Sequence, residues 1–194
     1  MHHDGGQEMT QVYEHAARRG QRLRVAAWTG VAIFLLVPLI AMRFTDEVAW
    51  SPADFALAAI LLFGSLGAFE WVVRSTGNPA CRAGVALTLA GVLLLVWSNA
   101  AVGIVGSEDN PVNAWFFAVP AVGALVATAG RLRPAAMPRT LFAMIVAQWL
   151  VAFPALADPS GIAREIVGFT VAFSMIWLAA AVLFVKAARA LATP

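Results

Sequence analysis

The sequence predicts an all-α fold, a polytopic transmembrane bundle of six helices joined by short loops. Three observations predict it. Six stretches of eighteen or more mostly apolar residues, separated by short polar breaks, fill the chain from residue 25 to residue 185. A bilayer core needs roughly 20 apolar residues per helix, so nothing is left over for a water-soluble domain. The chain is 61% hydrophobic and only 12% charged, with a mean hydropathy of +0.78, which does not suit a solvated surface. Finally, prolines recur where helices should start.

The chain divides into a polar, basic tail over 1–23 and a six-helix domain over 24–194. The opening MHHDGGQEMTQVYEHAARRGQRLR runs too long before any apolar core to be a cleaved signal, so the first helix should remain as an anchor. The expected spans are 25–42, 52–73, 79–105, 111–130, 138–157 and 162–185. Helices two to six follow the pairs Ser51-Pro52, Asn78-Pro79, Asn110-Pro111, Met137-Pro138 and Asp158-Pro159. Proline at the first helical position loses only an N–H that had no partner, and Ser, Asn or Asp before it can cap exposed donors. Ser51 with Asp54 resembles a capping box. Pro38, Pro120 and Pro154 fall inside spans one, four and five and should bend them.

The positive-inside rule sets the orientation. With the amino terminus inside, the cytoplasmic segments hold Arg18, Arg19, Arg22, Arg24, Arg74, Arg82, Arg131, Arg133, Arg139, Lys186 and Arg189, eleven of the thirteen basic residues. Only Arg43 and Arg164 fall outside. Both ends are therefore expected in the cytoplasm. One lysine against twelve arginines, in an alanine-rich chain, fits a GC-rich bacterial genome and hence an inner membrane. Trp28, Trp50, Trp71 and Trp115 fall where an interfacial aromatic belt would lie, whereas Trp97, Trp149 and Trp177 lie deeper, as packing residues. The pairs Gly64 with Ala68, Ala86 with Ala90 and Gly123 with Ala127 have the spacing that lets membrane helices approach closely.

Few polar groups lie inside the spans. Glu70 is the one acid beyond the first turn of a span, about 10 Å from the centre of helix two at about 1.5 Å per residue. Arg74 is one turn on, so the two form either an interfacial ion pair or part of a proton or cation path. Asn99 and Gln148 need partners at their depth, through interhelical hydrogen bonds or as the lining of a cavity. Glu70, Arg74, Asn99 and Gln148 are thus the candidate polar path. His2, His3 and His15 all precede the first span, so no imidazole is available to ligate haem or a metal within the bundle, and no cofactor is expected. Cys81, the single cysteine, reads as a packing residue, and no GxSxG, HExxH or phosphate-binding loop occurs.

The outer loops RFTDEVAWSPADF and GIVGSEDNPVNAWFF share a hydroxyl residue, two adjacent acids and a proline-started helix. Asp46, Glu47, Glu108 and Asp109 form a candidate external cation site if the loops meet; the helix dipole alone also favours acids there. The run WSNAAVGIVGSEDNP (residues 97–111), with RFTDEVAWSPADF and the ending LFVKAARA, resembles a group of small bacterial multi-pass inner-membrane proteins carrying a W-x-N-x-A-V-G-I-x-G-S-E-D-N-P motif. The resemblance covers most of the chain from helix one onward and implies a shared fold and no chemistry.

Three functions follow as expectations. The first is a structural, accessory or regulatory membrane component without catalytic machinery, with membrane lipids and either copies of itself or a larger membrane complex as partners, and no nucleic acid. The second is a small permease or channel for protons, cations or another small solute. The third is an enzyme acting on lipid at the outer surface.

Overall fold

The computed structural model describes residues 4–45 and 48–192. It is all-α. In chain order it contains α1 (Asp4–Ala41), α2 (Pro52–Ser75), α3 (Pro79–Ala101), a 3-10 helix (Pro111–Phe117), α4 (Ala118–Ala129), α5 (Met137–Ala155) and α6 (Ala163–Ala192). Among the described residues six segments are long and apolar enough to cross a membrane, the fourth being the 3-10 helix and α4 taken together. Asp46 and Glu47 lie outside the described residues, as do Met1, His2 and His3.

Two compact units divide at Ala68 and Phe69. In the first, Trp28 of α1 stacks on Phe63 of α2, with ring centroids 5.8 Å apart. The second holds the end of α2 and the four remaining spans. Within it α6 packs against both α3 and α5, and α5 packs against α4.

The packing has a clear residue basis. On α6 the buried positions Ile166, Thr170, Phe173, Trp177, Ala180, Phe184 and Ala187 follow alternating steps of four and three, the spacing of a heptad seam, with Ser174 buried beside them. Small residues opposite receive the large ones. A Cβ on Gly91 of α3 would lie 2.6 Å from the Trp177 ring, one on Gly84 3.1 Å from Phe184, and one on Gly123 of α4 2.6 Å from the Met144 sulfur. Of the three small-residue pairs picked from the sequence, Gly123 and Ala127 are on a buried face. Ala86 and Ala90 are exposed, and Gly64 has open space around its Cβ position. The α3 seam runs instead through Cys81, Gly84, Gly91, Leu95 and Asn99.

Helix starts follow local chemistry. Ser51 and Asp54 form the reciprocal box: the Ser51 N–H donates to Asp54 Oδ2 at 2.8 Å and the Asp54 N–H to Ser51 Oγ at 3.3 Å. Asn78 Oδ1 accepts from the Cys81 N–H at 3.1 Å, and Asn110 Oδ1 from the Val112 N–H at 2.9 Å. Two starts differ from expectation. α5 begins at Met137 with no side-chain cap. Pro159 does not open α6, which starts at Ala163; Asp158 turns the chain by accepting from the Ser160 N–H at 2.9 Å.

The internal prolines also separate. Pro38 lies inside α1. Span four changes from 3-10 to α geometry at Ala118, which puts Pro120 in the first turn of α4, where its missing N–H costs little. Pro154 sits one residue before the end of α5.

Candidate functional site

The densest polar cluster of the second unit lies where α3 ends and the 3-10 helix begins, and its centre is Asn113. This side chain is 3% exposed and makes four hydrogen bonds. Its Oδ1 accepts from the Ile104 and Val105 N–H groups, both at 2.9 Å. Its Nδ2 donates to the Ser107 carbonyl at 2.7 Å and the Val105 carbonyl at 3.3 Å. Asn99 Nδ2 donates to the Asn113 carbonyl at 2.8 Å, which ties α3 to the 3-10 helix.

The segment 102–106 does not stand off as a loop. Ile104 and Val105 insert into an apolar cluster with Phe116, Ala152, Ala155 and Ile166. Non-helical backbone in such a place must have its polar groups satisfied internally, and the Asn113 amide, with both donors and acceptors, serves that need. Gly103 and Gly106 make the fold of the segment feasible: their φ values are +78° and +68°, a region that side-chain-bearing residues seldom enter. A Cβ on Gly103 would fall 2.5 Å from the Ser107 carbonyl oxygen.

A second tie reaches the α5–α6 turn. Asn110 Nδ2 donates to Ser160 Oγ at 2.8 Å, and Ser160 Oγ in turn donates to Asp158 Oδ1. The Ser160 hydroxyl and N–H, with a smaller effect from Asn110, hold the Asp158 carboxyl below its ordinary range. The motif WSNAAVGIVGSEDNP is therefore an instruction for one folded knot: Asn99, Gly103, Gly106 and Asn110 each have a geometric task in it.

The structure gives the members of the expected polar path different partners. Gln148 is fully buried between α5 and α6, and its Oε1 accepts from the Trp177 indole N–H at 2.9 Å. Asn99 belongs to the Asn113 knot. Glu70 accepts from the Arg74 guanidinium one turn away. Three buried polar atoms, Asn99 Oδ1, Gln148 Nε2 and Thr140 Oγ1, have no partner among the described residues. Of the expected cation ligands, Glu108 and Asp109 are exposed beside the knot, and Asp46 and Glu47 lie outside the described residues. No group of three or more His, Cys, Asp or Glu that could hold a metal occurs among the described residues.

Two residues with clear tasks were not singled out from the sequence. Asn113 lies within the apolar string PVNAWFF; the signal for it is an amide that cannot face lipid unpartnered. Arg82, read only as a positive charge, caps the end of α2. Its Nη2 donates to the Val73 carbonyl and its Nε to the Thr76 carbonyl, both at 2.8 Å, a favourable place for a cation at a helix C-terminus.

Six apolar helices and a knot built to satisfy backbone inside apolar surroundings define a multi-pass integral membrane protein. Comparison with protein-family models, with curated proteins and with solved structures finds no match to the chain.

Proposed function

We propose that this chain is a structural or regulatory component of a larger assembly in the bacterial inner membrane, with both ends on the cytoplasmic side. What carries the reading is the use made of polar side chains within the four-span unit. Gln148 is spent on Trp177 across the α5–α6 interface, and Asn99 and Asn113 on closing one end of the unit. Thr88, Thr128, Thr170 and Ser174 bond back to carbonyls of their own helices. Of these, the bonds of Gln148 and Asn99 join different elements and so help specify which of them pack together. The bias of Arg and Lys toward one set of loops supports the orientation, and the composition supports a bacterial source.

Extraction in a mild detergent tests the role. The chain should co-purify with other membrane proteins in fixed proportion. A chain that purifies alone, and in proteoliposomes carries protons or cations faster than protein-free vesicles, would replace this reading with the permease. Loss of that flux in Glu70→Gln would then place the path at the Glu70–Arg74 pair.

A further inference from the structure

The turn between α4 and α5 borders an open hollow of about 400 Å³ whose lining includes Arg131, Arg133 and Arg139 and no acid. All three arginines are exposed, and among the described residues none makes a salt bridge or a side-chain hydrogen bond. We propose that this hollow binds a phosphate group, and that the phosphate is the headgroup of an anionic phospholipid. The inference rests on the membrane-spanning fold and not on the accessory role.

The backbone brings the three guanidinium groups together. After α4 the chain reverses through two successive left-handed residues, Arg131 at φ 53° and Leu132 at φ 54°. Side-chain-bearing residues seldom hold this conformation, and a run of two is a strained arrangement that the surrounding bonds must enforce. Here the Leu132 N–H donates to the Ala127 carbonyl at 2.9 Å and the Gly130 N–H to the Val126 carbonyl at 2.9 Å. The Ala136 N–H then donates to the Arg133 carbonyl at 2.9 Å, which closes the turn just ahead of Arg139. Gly130 is needed for space here and not for its φ: a Cβ there would lie 2.8 Å from the Ala136 Cβ. Gly130 and the alanines Ala129, Ala135 and Ala136 share the lining of the hollow with the three arginines.

Three like charges around one concavity, with no counter-charge among the described residues, call for an anion. Arginine's planar fork matches phosphate oxygens two at a time. The turn joins two membrane-spanning helices, so the hollow opens where headgroups lie. Leu132, between two of the arginines, leaves its apolar side chain half exposed, which suits the boundary with acyl chains better than bulk water. Basic pockets between spans are a known chemical solution for anionic headgroups.

The test is lipid binding to the whole protein, with phosphatidylglycerol, phosphatidylcholine and inorganic phosphate as probes. Native mass spectrometry from detergent micelles should show retained phosphatidylglycerol in preference to phosphatidylcholine. Each arginine changed to glutamine should weaken that binding about fivefold, so Arg131→Gln, Arg133→Gln and Arg139→Gln together should abolish the preference. All three side chains are exposed, so unchanged melting in phosphatidylcholine micelles will verify that the variant is folded. The control, Arg43→Gln with Arg164→Gln, removes basic charge outside the hollow and should leave the preference intact. An equal loss in the control, or no preference in the wild type, would overturn the proposal. Inorganic phosphate that binds as tightly as the lipid, and displaces it, would overturn the assignment to a headgroup.

Discussion

Asn113 shows how much one side chain can organise. Removing it leaves the Ile104 and Val105 N–H groups and the Val105 carbonyl without their partner, and burial makes each orphan costly. Asn113→Ala should destabilise the protein by about 2–4 kcal/mol on that basis, read as a fall in melting temperature in detergent. Asn113→Asp is the sharper comparison. It keeps an acceptor for the two N–H groups but faces the Val105 and Ser107 carbonyls with an oxygen in place of the NH2. It should therefore be no better than alanine. An aspartate variant as stable as wild type would show that the two donated bonds contribute nothing. The same knot explains the wording of its motif. Gly103 and Gly106 are there for positive φ, and Glu108 and Asp109 stand exposed beside it.

At the scale of elements, α6 packs against both α3 and α5 and carries a regular seam. Seven positions from Ile166 to Ala187 repeat at three and four residues, all buried. α3 answers with glycine where α6 presents a large ring. Gly91→Ala would set a methyl group 2.6 Å from Trp177, and overpacking of this kind costs about 1–3 kcal/mol. Gly168 of α6 is the matched control, because nothing lies within 4 Å of its Cβ position. Gly168→Ala should be neutral or stabilising by up to about 1 kcal/mol, since alanine is the better helix former. Equal melting of the two variants would mean that the α3–α6 contact is looser than the distances imply. The seam is written in the sequence yet hard to see there. In a soluble helix the outer face is polar and marks the buried one by contrast. Here Val167, Val171, Met175, Leu178 and Val182 are exposed on the same helix, and lipid accepts them as readily as the core accepts their neighbours. That lack of contrast is why the sequence points to Ala86 and Ala90 as a packing pair and leaves Gly84 and Gly91 unmarked.

For the whole molecule, six crossings make an even number, so both chain ends should lie on one side of the membrane. Single cysteines introduced near each terminus test this by labelling with a membrane-impermeant reagent. The native Cys81 is 4% exposed and should contribute little background. Ends labelled from opposite faces would mean that one apolar helix does not cross, and the assignment of loops to sides would have to be redrawn. The two compact units also set how substitutions should be interpreted. Changes at Asn113, Gly91 or Gln148 act within the unit that begins at Phe69.

The sequence by itself determined the class of protein, the number of spans and most of their starting points. Those follow from composition, from the length of an apolar run and from capping bonds between residues two or three apart. All are local quantities, and Ser51, Asn78 and Asn110 needed no knowledge of the rest of the fold. Tertiary structure alone decided that Gln148 meets Trp177, that Asn113 closes the end of the bundle, that Arg82 caps the helix before its own, and that three arginines share one hollow. Each of these joins groups that a turn or another helix must first bring face to face, and when every surface is apolar no periodic signal announces where that meeting will be.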